Sequence, residues 1–198
     1  KVSKSAAPSV TAILEYWFGA ELDDVDDIRN RKKIWYGGGR IVDEQIKQKF
    51  GPTIESLEMG RLLEWGESAK GGLALVIVLD QFSRHVYRGK REAYLQDPLA
   101  RAIARRLIDR QLDMELSIVQ RVFLYHPFKH SESPIDQQIS LELFKKLHDS
   151  SPLAWRSFTQ NYLDNAQSHS DLIERFGRYP HRNSVLGRDS TPEEKLLL

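Results

Sequence analysis

Apolar residues recur through the second half of this chain at intervals of three and four, and a proline heads each run. Asp97-Pro98 precedes Leu99, Ile103 and Leu107, and reads as an N-cap and N1 proline opening a helix with one apolar face. Ser133-Pro134 stands the same way before Ile135, Ile139 and Leu143, with Asp136 at N3, where a carboxylate favours the helix dipole. Ser151-Pro152 precedes Trp155, Phe158, Tyr162 and Ala166, and Thr191-Pro192-Glu193-Glu194 is a capping box for a last helix. Repetition of one start signal predicts an all-α fold.

The first half is less regular. Thr11–Phe18 predicts a short helix stopped by Gly19, and a second is expected from about Arg40 to Phe50, resuming after Gly51-Pro52. Leu73-Ala-Leu-Val-Ile-Val-Leu79 is apolar on every side and rich in β-branched residues, which suits a buried strand. One such run cannot make a sheet, so a buried helix from about Lys70 to Tyr87 is the better reading. Gly37-Gly38-Gly39, Gly71-Gly72 and Gly89 read as loops or caps. Successive helices of similar length suggest an irregular stack of antiparallel pairs, tetratricopeptide-like in style but without that repeat's consensus.

At 198 residues, 40% apolar and 29% charged, the chain reads as one globular domain, with two small ones possible. Residues 1–10 are expected to be flexible and 189–198 to form a C-terminal capping helix. Twenty-nine basic residues against 28 acidic ones leave a net charge of +1, which argues against nucleic acid or an anionic membrane as partner. The basic set Arg29, Arg31, Lys32 and Lys33 sits beside the acidic Asp23–Asp27 stretch, which balances it. With no cysteine there is no disulfide, thiol nucleophile or Cys-based metal site. The longest apolar run is seven residues, far short of the roughly 20 that span a bilayer, and no apolar leader follows the polar N-terminus. A cytoplasmic protein is expected.

Polar side chains gather in three places. Asp80-Gln81-Phe82-Ser83-Arg84-His85-Val86-Tyr87-Arg88 continues the apolar run, and helical spacing makes Asp80, Arg84 and Arg88 neighbours. Charges beside so apolar a helix are partly desolvated, so they are either paired with one another or presented as an Arg fork to a carboxylate or phosphate. His126-Pro-Phe-Lys-His130-Ser-Glu132 follows, with Asp136 and Gln137 just beyond; two histidines and two acids suit a metal only loosely, and no metal or cofactor is assigned. Last come His169, on the stripe of Tyr162 and Ala166, and Arg175-Phe-Gly-Arg178-Tyr-Pro-His181-Arg182-Asn183, with Gly177 as a helix cap. Gly-rich phosphate loops and nucleophile elbows are absent from the sequence.

These blocks, with Glu15-Tyr-Trp-Phe-Gly19 and Ser190-Thr-Pro-Glu-Glu194 at the two ends, resemble a bacterial family known only as a domain of unknown function, number nine hundred and twenty-four. The resemblance covers nearly the whole chain and implies an all-α, tetratricopeptide-like fold; it brings no activity, cofactor or catalytic residue. Three positions depart from the family pattern: Ser83 stands where proline is usual, His85 where asparagine is usual, and Lys129 where an acid is common.

The clusters admit three arrangements. They form a buried ion-pair network that docks the C-terminal segment; or one polar pocket for a small anionic ligand, or a groove for a protein partner; or a small enzyme of hydrolase or proton-transfer type. The candidate ligand-binding set is Asp80, Gln81, Arg84, Arg88, His130, Glu132, Asp136, His169, Arg178, His181, Arg182 and Asn183. In the enzymatic reading Asp80, Glu132 and Asp136 supply acid–base groups, the arginines hold the anion, and the histidines move the proton.

Overall fold

The computed structural model describes residues 9–19 and 25–198, and among them the chain forms helices joined by turns and short connections, with no strand. Most of the segment 1–10 that was expected to be flexible, and part of the acidic run Asp23–Asp27, lie outside the described residues. The helices are α1 (Val10–Phe18), α2 (Ile28–Lys32), α3 (Gly39–Glu58), α4 (Ala69–Val76), α5 (Ser83–Val86), α6 (Asp97–Asp109), α7 (Ile118–Lys129), α8 (Pro134–Ser150), α9 (Arg156–Phe176) and α10 (Pro192–Lys195).

The apolar run 73–79 is the centre of the molecule. Leu73, Ala74, Leu75, Val76, Ile77 and Val78 are all fully buried, so a helix apolar on every side has neighbours on every side. Two glycines let those neighbours close in. A Cβ on Gly72 would stand 2.5 Å from the Leu107 side chain of α6, and one on Gly71 would stand 2.1 Å from the backbone oxygen of Trp65. The helix leaves α geometry over Ile77–Phe82, where a π segment links α4 to α5; the Ser83 N–H reaches back to the Val78 carbonyl, five residues away. An aromatic cluster fills the space between α1, this segment and α7: Trp17 meets Phe82 and Phe123 edge-on at 5.7 and 5.6 Å, and Trp35 meets Phe123 at 4.7 Å.

Two expected starts and one expected face take a different form, while α8 begins at Ser133-Pro134 as read. Asp97 is the first residue of α6 rather than its cap, because its carboxylate is committed to Arg84. Helix α8 buries Asp136, Gln137, Ser140, Phe144 and Leu147, so the core face is rotated from the one read from Ile135, which is 71% exposed. After Ser151-Pro152 a short 3-10 turn comes first, and α9 begins only at Arg156; the Ser151 hydroxyl donates to the Leu147 carbonyl and so closes α8 instead of opening α9. Gly51-Pro52 does not break α3, which runs through it. The Thr191–Glu194 capping box and the Gly177 cap, with φ of 67°, are as read.

Helices α8 and α9 lie antiparallel: His148 pairs with Thr159 near the connection, and Phe144 stacks on Tyr162 further along. Helix α7 lies against α8, α9 and the π segment together, which brings three polar stretches of the sequence to one place.

Candidate functional site

Asp80 occupies the π segment and has no solvent exposure. Its Oδ1 accepts from His130 Nδ1 at 2.7 Å and lies 3.2 Å from an Arg84 guanidinium nitrogen, while Oδ2 accepts from the Gln81 amide. Arg84 also donates to the Asp80 carbonyl at 2.7 Å and grips Asp97 through two bonds of 2.9 Å. Burial opposes ionisation of Asp80, but the Arg84 guanidinium and the imidazole of His130 outweigh it and hold its carboxyl far below the usual range. Burial likewise pushes His130 down to about 3, so the ring is neutral and gives Asp80 its Nδ1 proton.

This pair stands at the wall of a cavity of about 550 Å³. Helix α7 contributes His126, Lys129 and His130, which i, i+3, i+4 spacing sets on one face. Gln81, Arg84, His85 and Arg88 come from the π segment and its continuation, and Asn165 and His169 from α9. Trp35, Tyr36 and Gly37–Gly39 close the remaining side, and the Tyr36 hydroxyl meets that of Tyr162 at 2.9 Å.

All four cavity histidines are fixed through the same ring atom. Nδ1 of His85 is 2.7 Å from Asp43, that of His126 is 2.6 Å from the Val122 carbonyl, and that of His169 is 2.9 Å from the Asn165 carbonyl. Carbonyls and carboxylates accept, so Nδ1 carries the proton and Nε2 is left as an acceptor available to the cavity. Burial lowers all of them, His169 to about 4, so they stand neutral at pH 7. This is the arrangement seen behind metal-ligating histidines, yet no group of three His, Asp or Glu among the described residues is placed to hold a metal ion.

The charged members of the lining are Arg84, Arg88 and Lys129, all cationic, and the lining contains no carboxylate. The acids that balance the arginines stand behind the wall: Asp97 and Asp80 behind Arg84, and Asp43 behind Arg88 at 2.7 and 2.8 Å. Lys129 differs. It is 4% exposed, donates to the Asn165 side chain at 2.8 Å, and lies over the Phe144 and Tyr162 rings. Among the described residues it has no carboxylate partner within ion-pair distance. Burial lowers it to about 7.

The structure places the twelve sequence candidates in two groups. Gln81, Arg84, Arg88, His130 and His169 line the cavity, with Asp80 directly behind. Arg182 stands behind it too, donating to the His130 carbonyl at 2.9 Å with its guanidinium over the Tyr94 and Tyr179 rings. The others face elsewhere. Glu132 takes two bonds from Arg188 and one from the Tyr179 N–H, Arg178 grips Glu194, and Asn183 joins Ser190 and Glu194. Asp136 pairs with Arg101 and Arg105, and His181 lies exposed against Tyr179. Five lining residues outside the candidate set matter: Tyr36, His85, His126, Lys129 and Asn165. The signal for two of them is Ser117-x-x-Gln120, a capping box that opens α7 and sets His126 and Lys129 on the face of His130.

A family model for a bacterial protein of unknown function, DUF924, matches residues 13–198. The chain belongs to that family. A solved structure described as a protein of unknown function, ATU0120 from Agrobacterium tumefaciens, is similar to it, with 34% identity, 95% of each chain covered and a TM-score of 0.79. No curated protein matches. No described helix of this DUF924 member is long and apolar enough to cross a membrane.

Proposed function

We propose that this DUF924 protein binds a small organic anion in the cavity between the π segment, α7 and α9. The observation that carries this is the lining: its charges are all cationic, and its acids are held one layer back. Such a wall attracts an anion while the buried carboxylates keep each guanidinium in place. Lys129, without a carboxylate of its own, is the cation that gains most from a bound anion. The four Nε2 acceptors add selectivity for a ligand that also carries hydroxyl donors. A volume of about 550 Å³ lies within the range of small-molecule sites. The test is calorimetric titration with lactate, a hydroxylated carboxylate. Lys129→Met should abolish binding, and heat unchanged in that variant would remove the proposal.

A second reading rests on the Asp80–His130 pair. A buried carboxylate at 2.7 Å from Nδ1 fixes the ring and leaves Nε2 unprotonated, the state from which a general base starts, while burial lowers the ring to about 3 and makes it a weak base. With no serine, threonine or cysteine in the lining, the group activated would belong to the ligand or be a water molecule. This supports proton transfer or hydrolysis on the bound anion.

A further inference from the structure

Lys129 can serve an anion through its charge, but its surroundings suit a different chemistry. A lysine kept for its charge is normally held by a carboxylate or left in water. Here the amine has neither: it is 4% exposed and is held by a neutral amide oxygen and two aromatic faces. An ammonium so placed has lost its hydration with little in return, and the uncharged amine, whose lone pair is a nucleophile, is favoured. The lysine opens onto two adjoining cavities, the one of about 550 Å³ and a second of about 290 Å³ beyond Asn165.

We propose that the Lys129 amine forms a reversible imine with the carbonyl carbon of a small 2-oxo acid or aldehyde admitted to this cavity. The nitrogen lone pair attacks the carbonyl carbon, and the proton lost from nitrogen ends on the former carbonyl oxygen, giving a carbinolamine. That hydroxyl then leaves with the second amine proton as water, and a C=N bond remains. Nothing is oxidised or reduced. Each proton needs a neutral acceptor nearby, and the Nε2 atoms of His126 and His130, on the same helix, supply one. The anion site described above would orient a 2-oxo acid, so that part of the inference rests on that reading; imine formation itself does not.

The groups whose charge the amine feels are Asp80, Arg84, His126, His130 and His169, with Tyr162 beneath it. Of the two charged partners only Asp80 favours the ammonium, and its charge is already shared with Arg84 and His130. The amine is lowered to about 7, so imine formation is expected to climb as pH passes that value.

The experiment incubates the intact protein with pyruvate, and separately with propanal, each with cyanoborohydride, which reduces an imine to a stable secondary amine. Peptide mass spectrometry then locates the adduct. The expected result is an adduct concentrated at Lys129 with both probes, absent in Lys129→Arg, and less abundant below pH 7. A cooperative thermal melt of Lys129→Arg, with the far-ultraviolet circular dichroism of the unaltered protein, shows that its loss of adduct is not a loss of fold. Adduct spread evenly over exposed lysines such as Lys145, or none at Lys129, would overturn the imine even if lactate binds. Trapping of propanal at Lys129 without lactate binding would uphold the imine and remove the anion site.

Discussion

Arg84 and Arg182 both approach Asp97, but their removal should have unequal effects. Arg84 is the bidentate partner of Asp97 and the nearest cation to Asp80, so Arg84→Ala strands two buried carboxylates. Breaking one buried pair from a single side costs about 3–5 kcal/mol, and two acids are exposed to that penalty here. Arg182 is 3.9 Å from Asp97, which keeps both of its bonds to Arg84 when Arg182 is gone. The loss from Arg182→Ala is then one bond to the His130 carbonyl and the stacking on Tyr94 and Tyr179, about 1–3 kcal/mol. Urea unfolding of the two variants decides it, and an Arg182→Ala loss as large as that of Arg84→Ala would contradict this division of roles. From the sequence alone the i, i+4 spacing of Asp80 and Arg84 is visible, whereas the pairing of Arg84 with Asp97, thirteen residues on, is not. Pairing across a turn depends on tertiary placement that no local pattern records.

At the level of elements, α7 combines tight burial with three bases. Lys129 is held at about 7 and His130 at about 3, and His126 is lowered too, so the unfolded chain binds protons that the native helix refuses. Stability must rise with pH wherever the unfolded state holds more protons. For His130, and for His169 at about 4 on α9, that window runs from roughly pH 3 to the ordinary histidine value near 6.5; for Lys129 it runs from about 7 to near 10.4. Denaturant midpoints should therefore keep increasing above pH 7, and Lys129→Met should remove that upper slope while leaving the lower one. A midpoint that stays flat between pH 7 and 9 in the unaltered protein would show that Lys129 keeps its proton in the fold. Helix α4 gives a steric counterpart. Gly71→Ala drives a methyl into the Trp65 backbone and Gly72→Ala into the Leu107 side chain, which can turn aside, so the first variant should lose more stability than the second in thermal melts. The capping boxes made α10 legible in the sequence and would have made α7 so. The π segment was not legible: its single extra residue per turn leaves no periodicity, yet it sets both the burial of Asp80 and the lining position of Gln81.

On the scale of the molecule, the polar stretches that look alike in sequence divide between two tasks. The all-α class was readable because start signals and apolar spacing agree at most helices. The face of α8 was not, since Asp136 and Gln137 are buried by partners on α6, at the end of α7 and on the C-terminal segment, and only assembly reveals them. Density of charge in Arg175–Asn183 likewise does not say whether the loop serves a ligand or itself. In the fold, Glu132 binds Arg188 at 2.8 and 2.9 Å and the Tyr179 N–H at 2.8 Å, and Arg188 goes on to the Asn183 side chain and the Tyr179 carbonyl. Arg178 in turn holds Glu194 of the last capping box. These bonds fasten residues 178–194 to the end of α7 without entering the cavity. Glu132→Gln keeps the shape of the side chain but removes its charge and one of its acceptor oxygens, so the clamp on Arg188 should open for about 1–3 kcal/mol. Hydrogen exchange should then quicken for amides from Tyr179 onward, while those of α4 and the π segment stay protected and lactate binding is retained. Quickened exchange throughout α4 would mean that the C-terminal clamp and the central helix unfold as one unit, and that docking of this segment is a condition for the cavity to exist.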